Sequence, residues 1–225
     1  GTTRGPTYHF LEDQPDHQVM TGHSNGLITL NVAEADDDER VRRRLALHEP
    51  YRTLLGHLRH ESGHYYWDVL IDQGQRHEAF RQAFGDERED YGQSLKRHYS
   101  EGPPPDWSER YVSAYATAHA WEDWAETWAH YLHMVDLLET ASSFNMRLAV
   151  PGSGGPVAET VENPFSGGPA DFDALVQQWV PVTVVVNSLT RSLGQEDAYP
   201  FALSPGAMEK LRFVHDIVRS HREGI

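Results

Sequence analysis

The clearest periodic pattern in the chain runs from Trp121 to Thr140. A helical residue turns by about 100°, so Trp121, Trp124, Trp128 and Val135 gather on one side of such a segment. His119, Glu122, His130 and His133 fall within about 40° of Glu126 on the other. The spacing predicts a helix over 121–140. Helices are also expected at 40–47, from Pro50 to about Val69, and at 76–84, 87–98, 108–115, 171–192 and 205–222. Leu27–Val32 is rich in β-branched residues and reads as a strand, whereas residues 1–22 read as irregular. The Asn25-Gly26 pair after His23 reads as turn chemistry. The charged runs Ala33–Asp38 and Phe84–Asp90 read as solvated helix starts, where carboxylates suit the helix dipole.

Pro and Gly punctuate the chain after that central helix. PGSGGP at 151–156 and NPFSGGP at 163–169 have linker composition. The expected class is mainly α (α+β), with a small N-terminal sheet. The expected division is a core over 1–149, a Gly/Pro-rich connection over 150–170, and C-terminal helices over 171–225 that pack on the core.

Composition narrows the function classes. The 225 residues and 39% hydrophobic content supply a real core. The formal net charge of −15 disfavours nucleic acid and anionic membrane as partners, since both need a basic footprint. No run of about 18 apolar residues suggests a membrane span, and the first residues carry no apolar leader core, so cytoplasm is the default compartment. Cysteine is absent, so a metal would be held by His, Asp or Glu.

Such a metal has an evident place. His60-Glu61-Ser62-Gly63-His64 sets two imidazoles one helical turn apart, with a glutamate offset to the side. With 14 His and 18 Glu in the chain, HExxH arises by chance roughly 0.07 times. The two histidines suit a tetrahedral Zn²⁺, and Glu61 suits the general base that meets a water there. A catalytic zinc needs a third protein ligand, and the 121–140 helix offers one. Its polar face carries no Lys or Arg, unlike an ordinary solvent face. Glu126 is the first choice, flanked by small Ala125 and Thr127; His130 and Glu122 are the alternatives. Asp68 and Glu122 are candidates to orient the ligand histidines, and His57 reads mainly as a packing residue. Strand 27–32 is a candidate to pair with an extended substrate.

HExxH followed by a helical glutamate resembles the zincin metallopeptidases, and Asp123-Trp124-Ala125-Glu126 resembles the third-ligand run of lethal-factor-like proteases. More closely, GHSNGLITLNVAEADD, EPYRTLLGHLRHESGHYYWD, FGDEREDY, GPPPDW and WEDWAETWAHYLH are similar to a bacterial family of zinc-binding metallopeptidases. The resemblance covers Thr21 to about Phe144. It implies a zincin-like core, one catalytic Zn²⁺, and a peptide or protein substrate. Members often carry a cysteine-rich zinc ribbon at the N-terminus, which has no counterpart in these residues. Lethal-factor-like enzymes also place an oxyanion-steadying Tyr seven residues before the ligand Glu. Counted from Glu126 that position is His119, so His119 or Tyr115 is the expected donor. The readings to separate from peptide hydrolysis are a zinc amidohydrolase acting on a non-backbone amide and a binding protein that keeps the metal without turnover.

Overall fold

The computed structural model describes residues 5–14, 16, 19–36, 53–149, 159–166 and 171–223. Among these it is mainly helical, with a small sheet near the N-terminus, as expected for an α+β chain. Contacts group the chain into two units. One is Gly1–Ala129 with Ser204–Lys210, and the other is His130–Leu203 with Leu211–Ile225.

In the first unit, β1 (Thr7–Leu11), β2 (Gly22–Ser24) and β3 (Leu27–Asn31) form a three-stranded sheet in the order β1-β3-β2. β1 runs parallel to β3, pairing Thr7 with Leu27, and β2 runs antiparallel, pairing His23 with Ile28. β1 lies in a stretch that reads as irregular, because its five residues are all exposed and show no buried alternation. Ile28 and Leu30 of β3 point into the core. The β2–β3 turn is Asn25-Gly26, both with positive φ, and the Gly26 amide donates to His23 Nε2 at 3.0 Å. Positive φ at both turn positions is what a tight hairpin requires. β3 is the central strand, flanked by β1 along Leu27–Asn31 and by β2 along Leu27–Thr29, so along Leu27–Thr29 it has no open edge for the substrate strand considered above.

A single 3-10 turn, Val32–Ala35, follows the sheet. Its acidic residue is not solvated. Glu34 is buried, accepts from Thr21 Oγ1 at 2.9 Å and faces His57 Nδ1. The helix expected at 40–47 and the start expected at Pro50 lie outside the described residues. Helix α1 spans Leu54–Trp67, and its N-cap Thr53 accepts from the Gly56 amide at 2.9 Å. A Thr oxygen at this position satisfies an orphan N–H that the helix cannot. A wide π-helical turn, Asp68–Asp72, extends it and buries Val69, Leu70 and Ile71.

Helices α2 (His77–Phe84) and α3 (Tyr91–Glu101) follow. The latter starts later than its charge pattern suggests. Asp90 caps it by accepting from Gln93 at 2.8 Å, and Glu87 turns inward to pair with Arg81. The helix expected at 108–115 is absent; two short 3-10 turns, Trp107–Glu109 and Tyr115–Thr117, stand there instead. Ser113 and Thr117 hydroxyls take the Ala116 amide and the Ala114 carbonyl, offering the backbone an alternative to a helix.

Helix α4 spans Ala120–Ser143. Trp124 is fully buried and meets Phe80 and Phe84, while Trp67 meets Phe80 and Trp121. This aromatic cluster is the core of the first unit. In the second unit, β4 (Arg147–Leu148) pairs antiparallel with β5 (Glu159–Thr160). Helices α5 (Phe172–Ser192) and α6 (Pro205–Glu223) supply buried Phe172, Leu175, Trp179, Leu211 and Val214 beside Met134 and Leu138. Among the described residues no helix is long and apolar enough to cross a membrane.

Candidate metal centre

Two helices build the site. At Gly63 a Cβ would stand 2.9 Å from Ala125 Cα and 3.1 Å from Trp128 Cδ1, so α1 and α4 touch where each carries its smallest residues. The indoles fix that contact. Trp124 Nε1 donates to the Gly63 carbonyl at 2.8 Å, and Trp128 Nε1 donates to Ser62 Oγ at 3.1 Å. The tryptophan side of α4 thus grips the middle of the HExxH segment itself.

That grip brings His60, His64 and Glu122 together, with one donor atom from each lying within 4.8 Å of the others. His60 Nε2 is 3.2 Å from His64 Nε2 and 3.1 Å from Glu122 Oε2, and His64 Nε2 is 3.7 Å from Glu122 Oε1. Glu122 is 1% exposed, and its Oε2 has no hydrogen-bond partner despite the nearby imidazole. A buried carboxylate oxygen without a partner is costly. Three donors aimed at one point, one of them orphaned, fit a divalent cation, and two imidazoles with a carboxylate suit zinc.

The electrostatics agree. Burial pushes the His60 imidazole down, but Glu122 and Glu126 outweigh it and hold His60 well above its usual range. Positive charge is therefore favoured at this point. Burial pushes Glu122 up, yet His60, His64 and Tyr91 bring its carboxyl down to about 2. Burial lowers His64 to about 4, so its imidazole is neutral at ordinary pH. Burial raises the Glu61 carboxyl. Glu61 is 9% exposed, and no described residue fixes it by a hydrogen bond.

Glu126 stands elsewhere. Its Oε1 is 2.7 Å from His60 Nδ1, the nitrogen away from the cluster, and its Oε2 accepts from Ser113 Oγ at 2.6 Å. With its Nδ1–H donated to Glu126, His60 leaves Nε2 as the nitrogen that faces the cluster. His119 does not reach the cluster. Its Nδ1 accepts from the Trp121 amide and its Nε2 donates to the Glu89 carbonyl, both at 3.1 Å. His130 belongs to the second unit, where Nδ1 meets the Tyr199 hydroxyl at 2.6 Å. The polar face of α4 is one stripe but not one site, since His119, just before it, and His133 stand 14 positions and about 21 Å of helical rise apart.

Tyr115 lies at the centre, its ring 6.0 Å from that of His60. A residue without a role in the sequence reading joins it. Tyr91 donates to Glu122 Oε1 at 2.6 Å, and its hydroxyl is within hydrogen-bonding reach of Tyr115. Burial raises both phenols, so both remain protonated donors. Tyr91 ends the FGDEREDY run, and its place after a capping Asp was the one available signal.

The family model described as "Putative zinc-binding metallo-peptidase" matches residues 1–217. The chain belongs to that family. Curated relatives include uncharacterized proteins of Mycobacterium tuberculosis and Mycobacterium bovis, each 46% identical over 201 residues. The match covers 89% of this chain and 56% of each relative, so the chain spans a little over half their length. No solved structure matches. The family description and the His60, His64 and Glu122 cluster point to the same group, a zinc ion.

Proposed function

We propose that the chain is a zinc-dependent metallopeptidase in which His60, His64 and Glu122 hold one ion and Glu61 is the general base. The observation that carries this reading is the buried Glu122 carboxylate set against the two imidazole nitrogens of HExxH, Oε2 at 3.1 Å from His60 Nε2 and Oε1 at 3.7 Å from His64 Nε2. Zinc bound there would supply a Lewis acid for the scissile carbonyl and acidify a water toward neutrality. The chain does the rest. Glu61, raised by burial, accepts a proton from the attacking water and passes it to the leaving amine as the C–N bond breaks. Glu126 holds His60 through Nδ1, and Ser113 holds Glu126. Tyr115, kept protonated, is the donor for the oxyanion.

The choice of Glu122 restores the Tyr of the lethal-factor-like pattern, while the acidic-aromatic-Ala-Glu run of that pattern ends at Glu126. Seven residues before Glu122 is Tyr115, as 122 − 7 = 115. The peptide nature of the substrate rests on the family description.

The test pairs metal analysis of the purified chain with a digest of an unbiased peptide library by the parent and by Glu61→Gln. The parent is expected to retain one zinc and cut a subset of peptides; the variant is expected to retain zinc and cut none. A Glu61→Gln chain that cuts as fast as the parent would sink the scheme.

A further inference from the structure

Tyr91 is the one described hydroxyl that hydrogen-bonds Glu122, and it takes Oε1 while Oε2 is left to the cluster, 3.1 Å from His60 Nε2. A carboxylate facing a cation can offer one oxygen or both, and a strong donor on one oxygen decides between them. We infer that Tyr91 is a positioning residue that makes Glu122 a one-oxygen ligand, and that His119 holds Tyr91 in place. The inference rests on the proposed zinc reading.

The support for Tyr91 is local and specific. Tyr91 is the first residue of α3, behind the cap Asp90, and its hydroxyl crosses to α4 from a segment 31 residues away in sequence. The segment entering α3 is tied by His119, whose Nε2 donates to the Glu89 carbonyl two residues before Tyr91. The same imidazole accepts from the Trp121 amide at the start of α4 and meets the Tyr91 ring edge-on at 5.3 Å. His119 therefore joins the start of α3 to the start of α4, one turn before Glu122. This accounts for its burial and for the engagement of both its nitrogens. Tyr115 extends the arrangement, since its hydroxyl reaches that of Tyr91. The chain of contacts runs from Tyr115 through Tyr91 to Glu122 Oε1, and the other oxygen, Oε2, lies 3.1 Å from His60 Nε2.

Outer partners of metal ligands typically change affinity by about 10–100-fold when removed. Tyr91→Phe keeps the ring packing and removes only the donor. The experiment is a zinc titration of parent, Tyr91→Phe, Tyr115→Phe and His119→Ala against a competing chelator. Absorption spectra of the Co²⁺-loaded chains and melting curves of the metal-free chains accompany it. Tyr91→Phe is expected to bind zinc about 10–100-fold more weakly and to alter the Co²⁺ spectrum, as Glu122 adds its second oxygen or detaches. Its metal-free melting point should match the parent. His119→Ala should weaken zinc in the same direction, which keeps the test open if Tyr91→Phe does not fold. Tyr115→Phe, one contact further from Glu122, should weaken zinc less than Tyr91→Phe does. If Tyr91→Phe and His119→Ala bind zinc within twofold of the parent with an unchanged spectrum, the inference is overturned and the zinc reading survives. A parent that takes up no zinc overturns both.

Discussion

Gly63 of α1 and Ala125 of α4 meet so closely that a Cβ on Gly63 would stand 2.9 Å from the Ala125 Cα. The obstacle is backbone, with the Trp128 side chain next at 3.1 Å, so nothing flexible can give way. Glycine inside a helix costs about 1 kcal/mol relative to alanine, so its presence in the third turn of a 14-residue helix asks for a reason. Close approach is that reason, and it sets the distance between the histidines and Glu122.

Gly63→Ala therefore opposes two effects. Helix propensity favours the variant by about 1 kcal/mol, while overpacking a tight contact disfavours it by about 1–3 kcal/mol. The expected net result is a loss of about 0–2 kcal/mol in urea unfolding of the metal-free chain. Zinc affinity should fall as well, because α4 must move away from His60 and His64. A variant more stable than the parent with unchanged zinc affinity would show that the contact does not set the site.

The roles of the two glutamates predict an order of effects. Glu122→Gln removes the orphaned oxygen's charge at the cluster, and zinc binding should be lost to within detection. Glu126→Gln removes only the partner of His60 Nδ1, and affinity should fall by about 10–100-fold. Chelator competition measures both. Bound zinc present at 100 times its Kd stabilises by about 2.7 kcal/mol, so the parent's melting point should rise with zinc while that of Glu122→Gln stays put. The reverse order of affinities would return the third-ligand role to Glu126.

That pair of residues also shows where sequence reading reaches its limit. HExxH, the strand at Leu27, the helix that became α4 and the two C-terminal helices are legible because each is a local periodicity. Glu122 and Glu126 share one face of α4, one turn apart, and no local signal separates them. The crossing with α1 at Ala125 separates them, and that crossing depends on Gly63 and two indoles from a helix 62 residues away. His119 looked like part of the same acidic and imidazole stripe, but its position just before Ala120 makes it the link to Glu89. Tyr91 was hidden in a charge run whose one inward acid, Glu87, pairs with Arg81. The polar face of α4 also lacked a cation only in sequence. Lys210 of α6 supplies one to Asp123, a pairing no local pattern reveals.

This last pair carries a stability prediction. Lys210 Nζ donates to Asp123 Oδ2 at 2.5 Å, lies 3.8 Å from the centre of the Tyr111 ring, and is 7% exposed at its side chain. Asp123 Oδ1 has no partner, and burial pushes the Asp123 carboxyl up to about 7 even with Lys210 pulling it down. Removing one member of a buried pair usually costs about 3–5 kcal/mol, because the other charge is left stranded. Lys210→Met should therefore lose about 3 kcal/mol at pH 8, read by urea unfolding. Asp123→Asn combined with Lys210→Met should recover part of that loss. The pH dependence has a definite sign. Without Lys210 the folded carboxyl titrates higher still, so the folded chain binds a proton that the unfolded chain releases. A raised carboxyl contributes stability below its unfolded value and loses it as pH rises through the folded one. The deficit of Lys210→Met relative to the parent should then shrink as pH falls from about 9 to about 7, and level off below that, where the parent's own Asp123 is protonated too. A deficit that stays constant over that range would mean that Asp123 finds another partner, or remains charged, once the lysine is gone.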